Sequence, residues 1–164
     1  MNAVTFNTLV WCWIFLAVII FFVLLFVKAP YGRHSSMKWG ITLSNRWGWF
    51  LMEIPSSLVF LYFYLTGNAD KNAVTWIIAA LFLLHYGNRS LVFPFRIRTK
   101  GKSMPVIIML MALFFNLVNG SFLGYYLGTL QTLYIHSWMS DYRFIAGILL
   151  FFLTFVSFTR YDVR

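Results

Sequence analysis

Five apolar runs divide the chain, at about residues 6–27, 47–66, 73–95, 105–127 and 143–159. Each is roughly 17–23 residues long, and about 20 helical residues cross a bilayer core at 1.5 Å per residue. Hydrophobic residues make up 61% of the 164 and charged residues only 10%, against about 25% charged in a soluble domain. Lipid is therefore the solvent that these runs require. The first run is too long for the apolar region of a signal peptide, and no basic segment precedes it. The expected fold class is an all-α integral membrane protein with about five transmembrane helices. Residues 1–164 form one transmembrane domain, with no repeat, low-complexity tract or linker.

The net charge is +9, and its distribution gives an orientation. Lys28, Arg33, Lys38 and Arg46 lie between the first two runs, Arg96, Arg98, Lys100 and Lys102 between the third and fourth, and Arg160 and Arg164 at the end. Five spans put all of these on one side, which the positive-inside rule makes cytoplasmic. The N-terminus is then outside or lumenal and the C-terminus cytoplasmic, in a bacterial inner membrane or the endoplasmic reticulum. Long apolar stretches between the basic clusters exclude a nucleic-acid-binding domain. Anionic headgroups are the expected partners of the cluster at 96–102.

Cys12 is the sole cysteine, and His34, His85 and His136 lie on different segments. Neither a disulfide framework nor a metal site follows from these residues. No glycine-rich phosphate loop of the soluble nucleotide folds is present.

Chemistry points to the second and third runs. Glu53, the only glutamate, lies inside an apolar run about 9 Å from its basic end at helical rise. A charge at that depth needs a cavity or a partner. Tyr86 and Arg89 stand three apart on the third run at a similar depth, so they share a helix face. Glu53 can accept from the Tyr86 phenol or pair with Arg89. A Tyr–Glu pair aimed at a buried carbonyl would stabilise negative charge developing on its oxygen; the alternative is a polar staple between two helices. Trp49, one turn before Glu53, suits either an interface belt or the wall of a flat apolar ligand site. On the fourth run Asn116 and Asn119 are expected on one face, with Asn119 a candidate ligand contact or interhelical hydrogen bond. Gly120, Gly124 and Gly128 read as close helix packing.

The motifs themselves carry a resemblance. They run in order: Pro30-Tyr31-Gly32-Arg33-His34, Trp49-Phe50-Leu51-Met52-Glu53-Ile54-Pro55-Ser56, Leu84-His85-Tyr86-Gly87-Asn88-Arg89, Lys100-Gly101-Lys102-Ser103-Met104-Pro105, and Ser140-Asp141-Tyr142-Arg143-Phe144. This pattern, over about residues 28–150, resembles the steroid 5α-reductase family, nearest its type 1 members. The resemblance implies a seven-helix membrane reductase that passes a hydride from NADPH to the β-carbon of an enone, such as a 3-oxo-Δ4-steroid. It implies catalytic roles for Glu53 and Tyr86 at the carbonyl. Trp49, Arg89 and Asn119 would then contact the substrate, and Tyr31, Arg33, Arg98 and Lys102 the cofactor. Related enzymes that reduce polyprenols or enoyl-CoA esters remain alternatives, as does a non-catalytic membrane remnant. A methyltransferase of the isoprenylcysteine type fits the Glu53–Tyr86 pair and the loop at 100–105 less well. Where the family continues with an Asn-x-His-Ser-Asp stretch, this chain has Phe158 at the Asn position and stops at Arg164. The expectation is a C-terminally truncated form that binds NADPH weakly, with Asn116 and Asn119 left facing lipid or an open groove.

Overall fold

The structure, a computed structural model, describes residues 1–27, 40–97, 101–132 and 136–161. Among these, five helices coincide with the five apolar runs: α1 (Ala3–Phe26), α2 (Asn45–Thr66), α3 (Ala73–Arg96), α4 (Val106–Leu130) and α5 (Tyr142–Tyr161). The first four are long and apolar enough to cross a membrane, and α5 is apolar over Tyr142–Ser157. The fold is all-α apart from one small pairing.

Local chemistry sets the helix starts. Asn2, Ser44 and Asn72 each accept a hydrogen bond from the backbone N–H three residues on, at 2.8, 3.5 and 3.2 Å. These caps satisfy N–H groups that have no partner inside the helix. The small pairing lies just before α2 and α4. Strand β1 (Thr42–Ser44) runs antiparallel to β2 (Ser103–Pro105), with Leu43 opposite Met104. It fixes the entries of α2 and α4 side by side, a tie that apolar periodicity did not announce.

The closest packing is between α2 and α4, and glycine makes it possible. A Cβ on Gly120 would lie 2.6 Å from the Ser56 carbonyl oxygen, and one on Gly124 would lie 2.6 Å from that of Phe60. The expected glycine stripe is thus a backbone-to-backbone seam. Beside it Phe60, Tyr64, Ala79 and Leu127 form a buried cluster, with Phe60 stacked on Phe82 of α3 at 4.4 Å. The Tyr64 hydroxyl meets Thr75 Oγ1 at 3.3 Å. Helix α1 joins through Phe6, which packs on Phe122, Tyr125 and Tyr126 of α4.

Helix α3 contains a π-helical turn at Asn88–Val92, where the Phe93 N–H bonds the Asn88 carbonyl. Pro94 follows directly. Proline lacks an N–H and in a regular helix would press on the carbonyl four residues back, so a widened turn relieves the clash. The Ser90 hydroxyl donates to the Tyr86 carbonyl at 2.7 Å, satisfying an oxygen at the mouth of this turn.

Candidate functional site

Helices α2, α3 and α4 enclose a cavity of about 360 Å³ lined by Trp49, Glu53, Tyr86, Arg89, Met104 and Asn116, among others. Each polar side chain comes from an apolar helix. Glu53 is 4% exposed, so its charge is nearly out of contact with any solvent. Arg89 compensates it. The guanidinium donates through Nε at 2.9 Å and through Nη2 at 2.6 Å, both to Glu53 Oε1. The guanidinium also lies over the Trp49 ring, 4.9 Å from its centroid. Trp49 is held in turn by an edge contact with Phe93 at 4.9 Å, just beyond the widened turn of α3.

Glu53 and Tyr86 are joined by a third residue. Asn116 Nδ2 donates to the Met52 carbonyl at 2.6 Å and to Glu53 Oε2 at 3.1 Å. Both partners are acceptors, so the amide nitrogen must face them and Oδ1 must face away. The Tyr86 hydroxyl meets that Oδ1 at 3.3 Å. An amide oxygen only accepts, so Tyr86 is the donor. The bond is long for an O–H donor, which leaves the phenol proton available to a better acceptor entering the cavity.

One expectation is corrected here and a second is met in part. Asn116 does not face lipid or an open groove; it is 6% exposed and holds the centre of the site. Asn119, three residues on, does line an open groove, which adjoins the cavity at Tyr86. Asn119 Oδ1 accepts from Trp13 Nε1 of α1 at 2.9 Å. Three residues along a helix turn a side chain about 60° short of a full circle, enough to aim these two asparagines at different neighbours. Asn116 was visible in sequence as an amide in an apolar run, but its role as connector was not. Trp13 gave no signal, because a tryptophan in an apolar helix usually serves as apolar bulk.

Among the residues expected to meet a cofactor, Tyr31, Arg33 and Arg98 lie outside the described residues. Lys102 is exposed at the start of β2, and its carbonyl accepts from the Asn45 N–H at 3.1 Å. His85 and Arg89 also line a second cavity of about 180 Å³ that faces Phe151, Thr154 and Phe155 of α5. No group of three or more His, Cys, Asp or Glu able to hold a metal occurs among the described residues.

The chain is similar in sequence to known proteins. The family model for 3-oxo-5-alpha-steroid 4-dehydrogenase matches residues 102–163. A steroid 5-alpha-reductase DET2 from Gossypium hirsutum is 34% identical over 131 residues, covering 78% of this chain and 51% of the relative. A 3-oxo-5-alpha-steroid 4-dehydrogenase 1 from Bos taurus is 38% identical over 136 residues, covering 80% and 52%. That from Macaca fascicularis is 37% identical over 119 residues, covering 71% and 44%. This chain is a relative of the steroid 5-alpha-reductases. It spans about half the length of the curated relatives that it matches. The family is one of oxidoreductases, and the long apolar helices agree with a membrane protein.

Proposed function

We propose that this chain supplies the carbonyl-holding part of a membrane reductase that saturates the 4,5 double bond of a 3-oxo-Δ4-steroid or a similar enone lipid. The observation that carries this reading is the relay Tyr86–Asn116–Glu53 beside the Arg89 guanidinium, inside a cavity walled by apolar side chains. Reduction of an enone builds negative charge on its oxygen. A carbonyl oxygen entering the cavity is a better acceptor for the Tyr86 proton than an amide 3.3 Å away. The donor is held by a network that is itself anchored in an ion pair, so little reorganisation accompanies the charge as it develops. Trp49 offers a flat face beside the same space.

A nicotinamide cofactor, NADPH by family analogy, would supply the hydride. Lys102 is the only described residue among the expected cofactor contacts, and it stands exposed just before β2. Lys102 would offer a single positive charge to the cofactor's phosphates. The lysine and arginine asymmetry supports basic loops on the cytoplasmic side, with the N-terminus outside.

The test is spectroscopic. A 3-oxo-Δ4-steroid is titrated into the purified chain in lipid nanodiscs, and its enone absorption is followed. Hydrogen bonding to the carbonyl shifts the band to the red. Tyr86→Phe should abolish the shift while the protein stays folded, because only the hydroxyl is lost. An unchanged shift in Tyr86→Phe would remove the phenol from the carbonyl and defeat the reading.

A further inference from the structure

Hydroxyls within the helices mostly bond to a carbonyl one turn back. Thr8, Thr66, Ser90, Thr154 and Ser157 each donate to the carbonyl four residues earlier, at 2.7–3.0 Å. That is the usual resort of a serine or threonine inside a helix. Ser56 of α2 departs from it. The residue is fully buried, and its Oγ has no hydrogen-bond partner. A buried hydroxyl in that state is costly. The carbonyl one turn back belongs to Met52, and Asn116 Nδ2 already occupies that oxygen at 2.6 Å. The amide that presents an acceptor to Tyr86 thus also takes the carbonyl on which Ser56 would close.

The polar group beside Ser56 is the Tyr86 hydroxyl. The two are neighbours without meeting the geometry of a hydrogen bond. Tyr86 gives its one proton to Asn116 Oδ1 at 3.3 Å, and its oxygen can still accept. Ser56 does not line the cavity. Its backbone is fixed in the α2–α4 seam, where a Cβ on Gly120 would lie 2.6 Å from the Ser56 carbonyl oxygen. Ser56 therefore meets a ligand only by way of Tyr86.

We infer that Ser56 is a positioning residue for Tyr86, a hydroxyl held in reserve that donates to the phenol oxygen once Tyr86 turns from Asn116 to a ligand oxygen. This rests on the carbonyl-holding reading above. A bound carbonyl draws the phenol proton toward itself, and the phenol oxygen gains negative charge. A donor on its far side offsets that charge, and hydrogen bonds in series strengthen one another. The serine bond is absent at rest and made in the complex, so its whole worth appears in ligand binding.

The test is a double-mutant cycle with androst-4-ene-3,17-dione as the probe, in phosphatidylcholine nanodiscs. Wild type, Ser56→Ala, Tyr86→Phe and the double variant are titrated, and the position of the enone band is read at saturation. Ser57→Ala is the control, since it removes a second buried hydroxyl without a hydrogen-bond partner, about 100° around the same helix. Partition of the probe into the disc cancels in each ratio. Glu53, His85 and Arg89 also face the phenol, and all three are unaltered throughout. Ser56→Ala should weaken binding roughly two- to tenfold when Tyr86 is present and trim the red shift by about 10–30%. It should change neither quantity in the Tyr86→Phe background, and Ser57→Ala should match wild type. Equal weakening by Ser56→Ala in both backgrounds would make the serine a packing residue and overturn the inference. No effect in either would also overturn it, and would leave the carbonyl reading intact. Absence of a red shift in wild type would overturn both.

Discussion

Tyr86 and Glu53 are coupled without touching: Asn116 accepts from the phenol at 3.3 Å and donates to the carboxylate at 3.1 Å. The side chain between them has no alternative orientation, because its amide nitrogen already serves two acceptors. The acceptor that Asn116 presents to the Tyr86 phenol is therefore fixed by the Glu53 carboxylate and the Met52 carbonyl.

The ion pair is the anchor of that chain. Glu53→Gln or Arg89→Ala removes one partner of a largely buried pair. Loss of one partner of this kind typically costs about 3–5 kcal/mol, since the other charge is left uncompensated. Each single variant should melt well below wild type in detergent, and the double variant should lose less than the sum of the two. Additive losses would show that the two side chains act independently.

The α2–α4 seam makes a sharper prediction. Gly124→Ala places a methyl group 2.6 Å from the Phe60 carbonyl. Helices in contact through backbone cannot absorb this by rotating a side chain, so the substitution should destabilise by about 1–3 kcal/mol. Gly147→Ala on α5 meets nothing within 4 Å and should be neutral or slightly stabilising, since alanine is the better helix former. Thermal unfolding of the two variants side by side gives the comparison.

Asp141 tests the start of α5. Its carboxylate accepts from Arg143 Nε at 3.0 Å, Nη2 at 2.8 Å and the backbone N–H at 2.8 Å. The Arg143 side chain first, then its backbone N–H, hold the acid down from 3.8 to about 2. A depressed carboxylate stabilises the fold above its unfolded value and loses that contribution as the pH falls toward 2. The group is exposed, so its effect on stability is small and the titration itself is the better measurement. Carbon-detected NMR should give a midpoint near 2. A midpoint at the ordinary carboxylate value would break the pairing with Arg143.

Orientation is open to reporter fusions. Fusions after residues 70 and 135 should report the outer side and one after residue 100 the cytoplasm, following the lysine and arginine asymmetry. A cytoplasmic signal at 70 or 135 would invert the arrangement.

Apolar run length made the helices legible, because lipid leaves the backbone few alternatives. Glu53 and Arg89 were legible for the same reason, as charges that lipid will not tolerate alone. Asn116 and Asn119 were not separable, since a spacing of three residues is shared by one face and by two adjacent ones. The pairing of β1 with β2 was invisible, because three-residue strands carry too little alternation to register. The bond from Trp13 to Asn119 joins residues 106 positions apart, and no local pattern encodes it.

The widened turn at Asn88–Val92 holds one residue of slack. A π turn is an α-helix with an extra residue let into it, and the stretches on either side keep the faces that they would have without it. Tyr86 upstream and Phe93 downstream are thus in register only if one position between them is left uncounted. A lineage that dropped a single residue here would keep its helix, its tyrosine and its contact with Trp49. What it would forfeit is the placement of Arg89, and with it the counter-charge of Glu53. The length of this segment, more than its composition, is the property to watch when the chain is aligned with others.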